Sequence, residues 1–373
     1  MSSQDIKLPE YRIRLFISVD LVGSTSYKGG DGAVTDDGEV SPRWVIATRN
    51  FYREFPALLA EKFARIVAGD KGANGEDYGR PNIWKTVGDE MLFANKIVDL
   101  EHLAFSIIAF MQALESYGAQ LASNGPMDVK GSAWTASFPA PNVTVDIVSP
   151  AERAAKGTLP DEETEAAADA QPSKFDFLGK EMDSGFRVTK HSSSDRLAIS
   201  ASLAYLLSQC MCDGLLPGRF NYHGRDTLKG VIQGRPYPIV TLDMERSTKK
   251  KEILAYERAL TKTGDIESIH LRNFLREFMF DEKMEFPYIF CKKSSCWSLD
   301  GAARRRHTSY DQFVDVWNRS YEELTKREEG EVAAEATTAD NGGPLPTELT
   351  ESLAATLSNL ATDSPPSSSD AAQ

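Results

Sequence analysis

The stretch YRIRLFISVDLVGST, from Tyr11 to Thr25, sets apolar side chains at Ile13, Leu15, Ile17 and Val19 between polar or aromatic ones. A period of two over that length predicts a half-buried strand ending near Asp20, then a turn at Gly23-Ser24-Thr25 able to cap a helix. The period next becomes helical: PRWVIATRNFYREFPALLAEKFARIVAG, from Pro42, reads as a long amphipathic helix. Ile83 to Val98 predicts a strand pair turning at Val87-Gly88-Asp89, and LEHLAFSIIAFMQALESYGAQLA a second helix. MDVKGSAWTASFPAPNVTVDIV supplies two more strands, RLAISASLAYLLSQC reads as a helix, and YHGRDTLKGVIQGRPYPIVTLDME as a closing hairpin. This order predicts an α+β fold, with helices on one face of a largely antiparallel sheet.

Residues 1–245 read as one domain, interrupted at 151–173 by AERAAKGTLPDEETEAAADAQPS. That segment is acidic, Ala-rich and without aromatics, and so predicts a solvated insertion. Residues 246–329 mix helices with an aromatic-rich segment and read as an appended C-terminal subdomain. The tail, 330–373, is Ala, Thr, Ser and Pro without aromatics, which predicts disorder.

Charge narrows the function classes. The chain of 373 residues carries −13, but seven acids and no Lys or Arg lie from Gly330 onward, so the body carries only −6. No basic nucleic-acid footprint is present. No apolar run reaches the length of a membrane span, and the N-terminus lacks a signal-peptide core, so a cytoplasmic protein is expected. Cys210, Cys212, Cys291 and Cys296 lack zinc-ligand spacing and read as reduced and structural.

Candidate chemistry starts from the acids. Asp20 ends one strand and Asp89 sits in a hairpin turn, so neighbouring strands would bring both carboxylates to one point. Such a pair repels unless cations compensate it, and hard divalent ions with oxygen ligands suit it. The alternative is two turn residues bonding their own backbone. Glu90 alternates to the other face and reads as structural.

FISVDLVGST followed by KTVGDE resembles the two metal-binding segments of class III nucleotide cyclases. The resemblance implies Mn2+ or Mg2+, two ions per site, held by Asp20, Asp89 and the main-chain carbonyl of Leu21. It also implies that Val22, Gly23, Ser24 and Thr25 offer amides to the triphosphate, as a backbone nest would. DFLGKEMDSGFR resembles the family segment in which an Asn and, four residues on, an Arg reach the active site. Those positions are Asp183, an acid in place of the ribose-orienting Asn, and Arg187, which neutralises charge on the α-phosphate. Standing alone, the two read as a helix pair at i, i+4. Lys85 and Asp176 match the positions that read the base edge. Lys229 matches a lysine on the terminal phosphates, although alone it reads as a solvated charge.

The resemblance covers about residues 10–245 and implies a homodimer with composite sites. Asp20 and Asp89 would come from one protomer, and Asp176, Asp183 and Arg187 from the other. DLVGST, VKGSAWTASFP and LGKEMDSGFR most resemble the pyrimidine cyclases of Pycsar antiphage systems. That implies cyclic UMP made from UTP, and a separate effector that responds to it. Donor and acceptor chemistry at Lys85 and Asp176 leaves CTP and ATP open, with pocket size to decide; Phe51 or Tyr52 could narrow the pocket, or pack the core. A nucleotide-sensing module without turnover and a palm-type phosphotransferase are the rival classes.

Overall fold

In the computed structural model, residues 6–24, 32–34, 40–148, 159–261, 264–292 and 308–337 are described. In chain order the first elements are β1 (Arg12–Val22), β2 (Gly32–Val34), β3 (Val40–Pro42), α1 (Arg43–Val67), β4 (Asn82–Val87), β5 (Glu90–Ile97) and α2 (Leu100–Asn124). Then come β6 (Asp128–Phe138), β7 (Val143–Asp146), α3 (Glu162–Ala170), β8 (Phe175–Leu178), α4 (Lys180–Val188), β9 (Arg196–Ile199) and α5 (Ala201–Cys212). The last are β10 (Phe220–Thr227), β11 (Pro236–Asp243), α6 (Thr248–Thr261), α7 (Ser268–Asp281) and α8 (Thr308–Thr337). Seven strands form one sheet in the order β10-β11-β9-β6-β1-β5-β4, antiparallel except where β6 meets β9.

β1 lies inside this sheet and runs two residues past Asp20. Its alternation puts Ile13, Leu15, Ile17, Val19 and Leu21 in the main core with Phe51 and Phe55 of α1, Ile107 and Phe110 of α2, and Leu206 of α5. Phe16 points to the opposite face, into a second core with Trp84, Trp134, Phe138, Phe177 and Met182. Helices therefore cover both faces, not the single face expected. The second face is closed by α3, α4 and the small β7–β8 sheet, whose residues Ala168, Met182 and Phe175 enter that core.

The segment expected as a solvated insertion contains α3, capped by Asp161 accepting from the Thr164 amide. Glu162, Glu165 and Asp169 fall at i, i+3 and i+7, on one side of the helix, and meet Arg12 and Arg14 of β1. Ion pairing does there what aromatic burial would otherwise do, which composition alone hides. Residues 151–158 lie outside the described residues. The start of RLAISASLAYLLSQC is also corrected: Arg196–Ile199 is strand β9, and Ser200 then caps α5.

Beyond residue 245, α7 joins the main core while α8 packs in a smaller cluster. Leu271, Leu275, Phe278 and Met279 of α7, with Ile289, belong to the main core. The Leu100 amide donates to the Phe290 carbonyl at 2.9 Å. Tyr310, Phe313 and Trp317 of α8 pack on Ile6, Leu8 and Tyr11 ahead of β1. α8 reaches Thr337, past the expected start of the tail, and residues 338–373 lie outside the described residues. Cys210 and Cys291 are buried thiols and Cys212 is an exposed one, whereas Cys296 is outside the described residues. Among the described residues no helix is long and apolar enough to cross a membrane.

Candidate active site

Pairing of β1 with both neighbours sets the acidic end of the sheet. Asp20 lies opposite Glu90 of β5 on one side and Lys130 of β6 on the other. The β4–β5 turn then carries Asp89 alongside, its carbonyl accepting from the Leu21 amide at 3.4 Å. Both turns need left-handed backbone: Gly23 has φ +88° and Gly88 φ +63°, conformations that cost glycine little.

The Ser24 hydroxyl donates to the Asp89 carboxylate, and the Ser18 hydroxyl donates to Glu90. Lys130 Nζ stands 3.1 Å from Asp20 Oδ2. Burial pushes the Asp20 carboxyl above its usual range; the Lys130 ammonium pulls it back and Asp89 adds to the rise. Glu90 is raised too, first by burial, with Asp20 and Asp89 adding to it. One ammonium thus faces the carboxyls of Asp20 and Glu90, both raised by burial.

The expected cation ligands Asp20, Leu21 and Asp89 are brought together. Ser24 is buried and fixes Asp89 with its hydroxyl, a role the sequence reading did not assign to it. Val22 is half-buried and Gly23 exposed, and Thr25 lies outside the described residues. Among the described residues, no group of three or more His, Cys, Asp or Glu side chains is arranged to hold a metal ion. The donors nonetheless suit a hard cation, because the ammonium of Lys130 already sits on one of them.

A second cluster forms around β4. The strand bulges between Ile83 and Lys85, so Trp84 turns into the second core and donates through Nε1 to the Phe175 carbonyl at 2.9 Å. Lys85 Nζ lies 3.9 Å from the Trp84 ring centroid and donates to Asp176 Oδ1 at 2.8 Å. The expected base-reading pair is therefore an ion pair in the single chain. α4 packs beside it: Phe186 stands 6.1 Å from Trp84, and Gly185 abuts the Trp134 indole so closely that a Cβ would come within 2.2 Å.

Asp183 and Arg187 project from the exposed side of α4. Their side chains make no hydrogen bond or ion pair among the described residues, so the i, i+4 pair considered above does not form. Lys229 is exposed in the turn after β10. β10 and β4 are opposite edges of the sheet, so its full width separates Lys229 from the β4–β5 turn. Phe51 is wholly buried against Phe55 and Tyr117, which makes it core and not pocket wall. The Tyr52 hydroxyl donates to the Gly88 carbonyl and so holds the hairpin turn.

Lys130 escaped the sequence reading. The only available signal was a lysine in an otherwise uncharged stretch, VKGSAWTASF, and pairing it with Asp20 requires the β1–β6 register.

No family model matches the chain, and no curated protein does. Solved structures similar to it include the adenylyl cyclase CyaB from P. aeruginosa, at 12% identity over 64% of this chain and 97% of that one, TM-score 0.41. The guanylyl cyclase Cya2 is 15% identical over 63% of this chain and 92% of its own, TM-score 0.36. An adenylate/guanylate cyclase/hydrolase from Silicibacter pomeroyi is 12% identical over 62% and 97%, TM-score 0.35. Identity this low leaves the chemistry to the chain's own side chains.

Proposed function

We propose that the protein is a nucleotidyl cyclase that converts UTP to 3′,5′-cyclic UMP and pyrophosphate. The observation that carries the proposal is the meeting of Asp20, Asp89 and the Leu21 main chain at one sheet end. In this reading the ribose 3′-oxygen bonds to the α-phosphorus and the bond to pyrophosphate breaks. Asp20, Asp89 and the Leu21 carbonyl would hold Mn2+ or Mg2+, two ions per site. Bound there, the ions would acidify the 3′-hydroxyl and grip the triphosphate.

The remaining roles fall to side chains and main-chain amides. Ser24 keeps the Asp89 carboxylate in one rotamer. Val22, Gly23, Ser24 and Thr25 would offer main-chain amides to the triphosphate. Arg187 neutralises charge gathering on the α-phosphate, Asp183 accepts from a ribose hydroxyl, and Lys229 meets the terminal phosphates. A uracil edge takes the place of the Lys85–Asp176 ion pair, with Lys85 donating to O4 and Asp176 accepting from N3–H.

The sheet's width between Lys229 and Asp89 supports a homodimer in which each site is built from both chains. The exposure of Asp183 and Arg187 supports it too. An isologous pair repeats such a site twice. The resemblance to Pycsar cyclases supports a role in antiphage signalling, with the product acting on a separate effector.

Base choice is tested by competition. An equal mixture of the four ribonucleoside triphosphates with Mn2+ should give cyclic UMP in at least about tenfold excess over cyclic AMP, a difference of about 1.4 kcal/mol in binding. Excess cyclic AMP overturns the pyrimidine assignment; excess cyclic CMP moves it to CTP. No cyclic product overturns the cyclase.

A further inference from the structure

The sheet end that carries Asp20 also carries cations. β6 starts there with Asp128 and Lys130, β9 starts with Arg196, and the chain leaves β11 through Met244 to Arg246. Lys130, Arg196 and Arg246 line one small cavity with Ser193 and Ser194. The two arginines are engaged by framework acids: Arg246 Nη2 donates to Asp128 Oδ1 at 2.6 Å, and Arg196 Nε lies 3.6 Å from Asp195. Lys130 is placed differently. Its backbone faces Asp20 across the β1–β6 register and its Nζ stands 3.1 Å from Asp20 Oδ2, on the carboxylate assigned above to a cation.

We propose that Lys130 is a tethered counter-cation: its ammonium neutralises Asp20 when no divalent ion is bound, and competes with one for that carboxylate. The proposal rests on the reading of Asp20 and Asp89 as cation ligands. Three carboxylates, those of Asp20, Asp89 and Glu90, interact at this end, and Lys130 is the cation that acts on Asp20 and Glu90. Without it the metal-free chain would hold repelling acids at a half-buried sheet end. A divalent ion on Asp20 would repel the ammonium in turn. The flexible four-carbon stem of a lysine lets the charge leave Oδ2 without moving β6, toward the cavity lined by Ser193 and Ser194. Lys130 thereby sets how tightly the site takes its ion, as a positioning residue that bonds no substrate atom.

Lys130→Met keeps the side-chain length and removes the charge. Mn2+ is titrated into the purified full chain, and free ion is followed by electron paramagnetic resonance. The wild type should bind Mn2+ in a manner lost in Asp20→Ala, and Lys130→Met should lower the dissociation constant at least about tenfold, the scale of one unit charge close to a dication. Without metal, Lys130→Met should melt below the wild type, and saturating Mn2+ should remove that difference. Lys130→Arg, which keeps the charge, should stay within about threefold of the wild type, little beside that tenfold shift. Equal or weaker Mn2+ affinity in Lys130→Met, with an unchanged circular dichroism spectrum, overturns the proposal. If Lys130→Met fails to fold, Lys130→Gln is read by the same criteria. A wild type that binds no Mn2+ through Asp20 overturns the reading of the site itself, and the two failures are thereby told apart.

Discussion

β1 is charged at both ends, and the two ends are built differently. At its start Arg12 and Arg14 are almost wholly buried, yet each meets acids of α3: Arg12 Nη1 lies 2.7 Å from Asp169, and Arg14 Nη2 lies 2.7 Å from Glu165. Arg14 also donates to Thr144 at 3.0 Å and lies over the Phe138 ring at 4.6 Å. At the other end Asp20 interacts with Asp89 and Glu90, and Lys130 alone among the described residues is ion-paired to it. With Lys96 Nζ 3.8 Å from Asp169, the first cluster sets three cations against Glu162, Glu165 and Asp169, so it closes its charges within the chain and has a sufficient account as structure. The second is left with an excess of negative charge that Lys130 offsets only in part. Imbalance of charge, more than the presence of acids, separates the candidate site from the framework.

That contrast can be broken by mutation. Asp89→Asn should lower cyclic nucleotide formation at least about a thousandfold, roughly 4 kcal/mol of activation free energy. Its melting temperature should stay level or rise, because one repelling charge is gone. Arg14→Met should behave in the opposite sense. It leaves Glu165 buried without its ion-pair partner and Asp169 short of one of its two arginines, and should cost about 3 kcal/mol in urea unfolding. A stable Arg14→Met chain, or an Asp89→Asn chain that unfolds, would reverse the assignment of the two ends.

A smaller effect sharpens the comparison through pH. Burial raises the Asp20 and Glu90 carboxyls, so their contribution to stability is fully present below the unfolded values, about 4, and is lost as pH rises through the raised ones. His102, near the end of the sheet away from Asp20, has the opposite sign. It is buried between Tyr78 and Phe63, and burial holds its pKa down to about 4. Its contribution is present above the unfolded value, about 6.5, and is lost as pH falls toward 4. Urea titrations between pH 7 and pH 4 should therefore show a slope in the wild type that His102→Gln flattens. An unchanged slope would assign the acid sensitivity to other groups.

What the sequence made legible follows range. β1, the β4–β5 hairpin, α1 and α2 each declare themselves within about 25 residues, because strand and helix periods are local signals. Asp20 and Asp89 were legible for the same reason: each closes or turns a strand that its own neighbours define. What depends on distant partners was not legible. Arg12 finds Glu162 across 150 residues, and only that pairing turns an acidic, aromatic-free segment into a packed helix. Lys130 needed the β1–β6 register, Trp84 needed a bulge, and β9 is too short to separate by period from the helix that follows it.

The most direct test of the account follows the two products together. Purified chain is incubated with UTP and Mn2+, and cyclic nucleotide and pyrophosphate are quantified side by side for the wild type and Asp89→Asn. The account expects equal amounts of cyclic UMP and pyrophosphate from the wild type and neither from the variant. Cyclic nucleotide formed at the same rate by Asp89→Asn would contradict the claim that the charge-imbalanced end of β1 is the catalytic site.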